Sequence, residues 1–222
     1  MLRLNLGADD GPIDLLLIGA HPDDLEIGCG GTVLRWAREG RIARATWVVL
    51  SGDQARADEA RRSASAFLAG VAAVEVRIES FRDGHFPHAG SDVKEAIEAL
   101  KDVAPDVVLT HDRNDRHQDH RFVAELTWQA FRDQLILEYE IPKYDGELGQ
   151  PNVFVELDGD VVADKARLLL ESFPSQRERH WFTADAFTGL ARLRGIECRS
   201  ATGFAEGFTG RKVVIGSARR VG

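Results

Sequence analysis

The sequence predicts an α/β protein, a three-layer sandwich whose mostly parallel central sheet is covered by helices on both faces. Three observations predict it. The first strand-like segment, IDLLLIGA at 13–20, is apolar without interruption, the pattern of a strand buried on both sides. Helix-like segments then alternate with further strand-like runs, and the first two helices end on glycines, Gly40 and Gly70. A strand–helix–strand crossover of this length is right-handed and builds a parallel pair.

The elements follow in order. Residues 30–39 (GGTVLRWARE) read as the first helix, 43–51 (ARATWVVLS) as the second strand, 57–69 as the second helix and 73–78 as a short third strand. Ser91 or Asp92 is placed to cap a helix running to about Val103, because Pro105 forbids its continuation. Residues 106–111 (DVVLTH) read as the fourth strand and 119–132 as the fourth helix. The remainder is less regular. Residues 135–141 and 153–157 resemble strands, 160–172 and 183–194 helices, and 211–215 a final strand, with Pro142, Gly146, Gly149 and Pro151 breaking the middle. No repeat or low-complexity linker divides the chain, so residues 1–222 read as one domain.

A chain of 222 residues can bury a substantial core. Its formal net charge of -8, with no basic stripe interleaved with aromatics, argues against a nucleic-acid partner. The arginine pairs at 61–62 and 219–220 read as solvated faces or tails. Two cysteines, Cys29 and Cys198, are too few for a disulfide framework or a four-thiolate zinc site, and they fit a reducing cytoplasm. Cys29 reads as a small buried thiol. The opening MLRLNLGADDGP has no signal-peptide core, and no apolar run is long enough for a transmembrane segment.

In such a sheet, ligands bind outside the carboxyl ends of the strands. Four of the seven histidines lie at two such ends, in His21-Pro22-Asp23-Asp24 and in the stretch from His111 to His120. A catalytic zinc takes three imidazole or carboxylate ligands and keeps one place for water. His21 and Asp24 flank a rigid proline and can address one centre, and His120 supplies a third ligand from the neighbouring strand end. Zinc (Zn2+) is the expected ion, although iron or cobalt would accept the same set. Asp23 is placed beside the ion as a general base. His117, as an imidazolium, is placed to stabilise an oxyanion or protonate a leaving amine, with Asp119 orienting it. Either segment alone reads as well as an acidic turn or a surface loop. Both at adjacent strand ends are a far less ordinary coincidence.

Other features are open at this level. The glycines of Gly28-Cys29-Gly30-Gly31 lack dinucleotide-fingerprint spacing. They let the first helix start close to the strand, or their amides hold substrate. Arg56 and Glu59 read as an exposed helix pair or as support near the site, with Arg56 the candidate substrate contact. His85 and His88 read as loop residues, and His180 beside Trp181 as packing.

At these positions the chain resembles the LmbE/PIG-L family of zinc-dependent deacetylases. The matching features are AHPDDLEIGCGGT at 20–32, Arg56 with Glu59, Asp83-Gly84, and HQDHR at 117–121. The resemblance covers roughly the first 130 residues well and the rest loosely. It implies a Rossmann-like fold, one zinc, and hydrolysis of the N-acetyl group of N-acetylglucosamine-type amino-sugar conjugates. It also implies His21, Asp24 and His120 as ligands, Asp23 as base, and His117 with Asp119 as helper pair. Small members of the family often form homo-oligomers. Gln118 stands where the family more often has proline. Asn114, Asp115 and Arg116 stand where some members carry an oxyanion-donating tyrosine, which leaves His117 and the ion to serve the oxyanion. The stretch 135–152 more weakly resembles a bacterial subgroup tied to saccharide or natural-product assembly.

Three other readings compete. One is a zinc amidase that cuts a larger acyl or thiol-conjugate amide. Another is a metal-dependent hydrolase of esters or phosphates, which the lack of ligands for a second metal disfavours. The last is a sugar- or nucleotide-binding module with a vestigial metal site.

Overall fold

The computed structural model describes residues 11–214. Seven strands form one sheet: β1 (Ile13–Gly19), β2 (Ile42–Ser51), β3 (Ala73–Phe81), β4 (Val107–His111), β5 (Leu135–Tyr139), β6 (Val153–Leu157) and β7 (Phe204–Gly210). Their order is β3-β2-β1-β4-β5-β7-β6. The pairs from β3 through β5 are parallel, while β7 runs antiparallel to both β5 and β6.

The uninterrupted apolar run in β1 is explained by two separate cores. Leu15 and Leu17 join one cluster and Leu16 and Ile18 the other. The first cluster takes residues from α1 (Asp24–Arg38), α2 (Gln54–Phe67), α5 (Gly159–Ser172) and α6 (Ala184–Glu197). The second takes residues from α3 (Gly90–Glu98) and α4 (Gln118–Ala130). Each strand face thus meets its own helical layer, as a doubly wound sheet requires.

Three boundaries depart from the sequence reading. Helix α1 begins at Asp24, so the glycines from 28 to 31 lie within it. Each of the three meets a large side chain. A Cβ on Gly28 would lie 2.2 Å from the Tyr139 ring, one on Gly30 2.6 Å from Phe67, and one on Gly31 2.6 Å from Leu157. The third helix is capped at Ala89, not at Ser91 or Asp92, and loosens into a 3₁₀ turn over Ala99–Val103. The last strand is Phe204–Gly210, while residues 211–214 carry no regular structure and residue 215 lies outside the described residues.

Strand order reverses on either side of β1, between β2 and β4. The register sets Leu17 against Leu109, which brings Gly19 level with His111. The turn after β1 and the loop after β4 therefore open at the same edge, where such sheets bind ligands.

Candidate active site

The turn after β1 is tight and strained. Asp23 takes φ 93° and ψ −22° as it enters α1, a left-handed conformation that costs a non-glycine residue roughly 1–2 kcal/mol. The Asp24 carboxylate closes the turn by accepting the His21 N–H at 2.7 Å. Arg56, on the first turn of α2, donates from Nη2 to the Pro22 carbonyl at 2.6 Å and approaches the Asp23 carboxylate at 3.2 Å. The residue expected to touch substrate is thus also a brace for the strained turn.

Three polar atoms converge at the strand edge. His21 Nδ1 lies 3.1 Å from His120 Nε2 and 3.4 Å from Asp24 Oδ2, and His120 Nε2 lies 3.5 Å from Asp24 Oδ2. All three residues are buried. The opposite nitrogen of each ring faces a carboxylate. His120 Nδ1–H donates to Asp115 Oδ2 at 2.9 Å. His21 Nε2 lies 3.2 Å from Asp119 Oδ2 and 3.0 Å from Asp83 Oδ1. Because carboxylates only accept, the neutral His120 ring spends its proton outward and turns a lone pair toward the shared centre, and His21 does the same once it gives up its inner proton.

The charges follow from this packing. Burial alone would raise Asp24, but His120, His111 and His21 hold it well below the usual carboxylate range. Burial, reinforced by the neighbouring His111, pulls His120 down to about 3, so its ring is neutral. His21 is held well above an ordinary histidine, because Asp119, Asp24 and Asp83 outweigh its burial. Burial pushes the Asp23 carboxyl well above its normal range, with Arg56 opposing.

The helper pair is arranged differently from the sequence expectation. Asp119 was expected to orient His117 with its carboxylate. That carboxylate instead serves His21 and accepts the Gly84 and Phe86 amides at 2.6 and 3.0 Å. His117 is oriented by the Asp119 backbone, whose N–H donates to His117 Nδ1 at 3.3 Å at the start of α4. Burial and the nearby His21 hold His117 below an ordinary histidine, which disfavours an imidazolium. With Nδ1 accepting, its proton sits on Nε2 and is free to be donated.

Four further residues join the site that the sequence reading gave no role. His111, fully buried, stacks on His120 with centroids 3.9 Å apart and places Nε2 3.2 Å from Asp24. Asp115 holds His120, and Lys143 in turn holds Asp115 at 2.7 Å. Asp83, noted only as part of a motif, reaches His21. The five-residue spacing of Asp115 and His120 is visible in the sequence, but the approach of Lys143 from another loop is not. Glu59 lies apart from Arg56's partners: buried on α2, it accepts from Ser175 N and Oγ. Nor is the Gly31 amide free for a substrate, since it and the Thr32 amide donate to Glu206.

The comparisons with known proteins agree with this architecture. The PIG-L family model, described as GlcNAc-PI de-N-acetylase, matches residues 16–131. The chain is 32% identical over 145 residues to the uncharacterized deacetylase YaiS of Escherichia coli (strain K12), covering 58% of this chain and 74% of that protein. It is 28% identical over 165 residues to a 1D-myo-inositol 2-acetamido-2-deoxy-alpha-D-glucopyranoside deacetylase of Nocardia farcinica (strain IFM 10152), covering 59% of this chain and 55% of that protein. Its fold is that of the N,N'-diacetylchitobiose deacetylase from Pyrococcus horikoshii, with a TM-score of 0.71 at 20% identity over 89% of this chain and 83% of that one. The matched span begins inside β1 and ends just past α4, so it contains both strand ends that build the site, and the chain belongs to the PIG-L family of N-deacetylases.

Proposed function

We propose that the protein is a zinc-dependent hydrolase that removes the acetyl group from the nitrogen of an N-acetylglucosamine-type sugar conjugate. The observation that carries this reading is the triangle of His21 Nδ1, His120 Nε2 and Asp24 Oδ2, with edges of 3.1, 3.4 and 3.5 Å. Zinc bonds of about 2.0–2.1 Å at tetrahedral angles put ligand atoms about 3.3–3.4 Å apart. The donor set, two neutral-capable imidazoles and one carboxylate, is that of hydrolytic zinc sites with an open place. The substrate class rests on the activities of the relatives, which act on acetylated amino sugars.

Zinc held there would supply an acidified water at neutral pH and polarise the acetyl carbonyl. Asp23 takes the proton of the attacking water and returns it to the amine as the C–N bond breaks, giving acetate and the free amino sugar. Burial raises its carboxyl above the ordinary range, which makes its carboxylate a stronger proton acceptor than an exposed aspartate. His117 donates Nε2–H to the oxygen that gains charge. Arg56 keeps Asp23 aimed, and the guanidinium surface left open to solvent offers a cation to sugar hydroxyls.

The test is metal analysis of the purified protein, followed by acetate release from a panel of N-acetylglucosamine conjugates. One equivalent of zinc and chelator-sensitive release are expected. Release of only longer acyl groups would move the substrate class, and bound zinc without turnover on any amide would sink the hydrolase reading.

A further inference from the structure

The segment between β5 and β6, residues 140–152, forms neither helix nor strand. Its ends are fastened by Arg194 on α6, which holds the Glu140 carboxylate at 2.6 Å and the Gly149 carbonyl at 3.1 Å. Between those anchors, Lys143 reaches inward. Its side chain is only 11% exposed, unusual for a lysine unless it is paired. Its ammonium lies 2.7 Å from Asp115 Oδ2 and also pairs with Glu147 four residues on.

Asp115 Oδ2 is the oxygen that accepts the His120 Nδ1 proton, while Asp115 Oδ1 accepts the His117 N–H at 2.7 Å. One carboxylate thus ties together the ring of a ligand candidate, the backbone of the candidate oxyanion donor, and the loop's lysine. We propose that Lys143 is a positioning residue of the metal centre. It acts through Asp115 on His120, and it makes the order of the 140–149 stretch depend on whether the centre holds zinc. This rests on the zinc reading above.

The physical argument is one of fixed orientation and charge. His120 offers its Nε2 lone pair to an ion only while its Nδ1 keeps its proton and donates it to Asp115. Without Lys143, Asp115 keeps its negative charge in a buried place with one fewer partner, and its rotamer is no longer fixed from the loop side. Carboxylates that orient metal-binding histidines contribute roughly 10–100-fold in affinity. Coupling of this kind is reciprocal: whatever seats Lys143 tightens the ion, and the ion seats Lys143 and its loop. The loop carries Tyr144 and Leu148, which are 63% and 44% exposed, so ion occupancy sets how those apolar side chains are presented.

The test uses the whole chain with zinc as the probe. Affinity is measured by competition with a chromophoric chelator, and amide hydrogen exchange is followed over 140–149. Lys143→Met is expected to bind zinc about 10-fold more weakly. Lys143→Arg is expected to recover most of that loss. Zinc is expected to slow exchange over 140–149 in the wild type but not in Lys143→Met. If Lys143→Met fails to fold, Glu147→Gln provides the second reading, because it loosens Lys143 while leaving Asp115 and His120 intact. It too is expected to lose zinc-dependent protection of the loop. A lysine that merely braces the fold would lower stability and leave zinc affinity unchanged; wild-type affinity in Lys143→Met, or no effect of zinc on loop exchange in the wild type, overturns the proposal. A wild type that takes up no zinc would instead overturn the metal reading beneath it.

Discussion

At the scale of single residues, two adjacent acidic groups face opposite requirements. Asp24 is surrounded by imidazoles and stays charged, while burial drives Asp23 toward its protonated form. Asp23→Asn keeps the turn, because asparagine tolerates a left-handed backbone, yet it cannot take a proton. It should lower acetate release at least ~100-fold with the zinc content unchanged. Glu26, two residues further on, is 1% exposed, and the nearby Ser63 hydroxyl relieves its burial only in part. Burial pushes it up to about 7. A carboxyl raised in the folded state binds its proton more tightly than in the unfolded chain. Stability from this group is therefore greatest below about pH 4.5 and declines as pH rises toward 7, by up to about 3 kcal/mol. Glu26→Gln should abolish that slope and exceed the wild type in denaturant unfolding at pH 8 but not at pH 4.5. The HPDD and H-x-D-H residues were legible in the sequence, since type and spacing announce them. The partner of the Asp119 carboxylate was not, because the loop through Gly84 and Phe86 decides which ring that carboxylate meets.

At the scale of elements, β1 declared itself through apolar residues for two cores, whereas α1 and β7 concealed themselves behind glycine. The glycines from 28 to 31 suggest a turn, yet each marks where a helix is crossed by a bulky side chain. Strand β7 contains Gly207, Gly210 and a buried Glu206, a poor strand by propensity, and the more apolar KVVI that follows looked the better choice. Tertiary pairing with β5 and β6 overrides propensity there, and Gly207 and Gly210 leave room for Pro151 and Val153. Gly28→Ala tests the same logic. Its methyl would meet the fully buried Tyr139 ring, whose hydroxyl donates to the Ile18 carbonyl at 2.8 Å. Overpacking of this kind costs roughly 1–3 kcal/mol, read as a lowered unfolding midpoint, although alanine is the better helix former.

At the scale of the whole molecule, the proposed metal centre joins the end of β1, the start of α1, the loop after β4 and the start of α4. An ion bound to the folded form alone stabilises all of them together, by about 2.7 kcal/mol at one hundred times its dissociation constant. Chelation should therefore lower the thermal midpoint, and added zinc should restore it; a midpoint indifferent to both would argue against a site formed by folding. No helix among the described residues is long and apolar enough to cross a membrane. The buried pair of Lys165 and Glu206 carries a further implication. Lys165 donates to the Ile27 carbonyl at 2.6 Å, and Glu206 accepts the Gly31 and Thr32 amides at 2.8 and 2.7 Å. Groups in the first helix are thereby satisfied by residues 138 to 175 positions further along the chain. A nascent chain that has exposed both signature motifs still lacks the partners that finish its opening helix. A truncation at residue 131 would contain the entire family-matched span and still not be a self-sufficient folding unit.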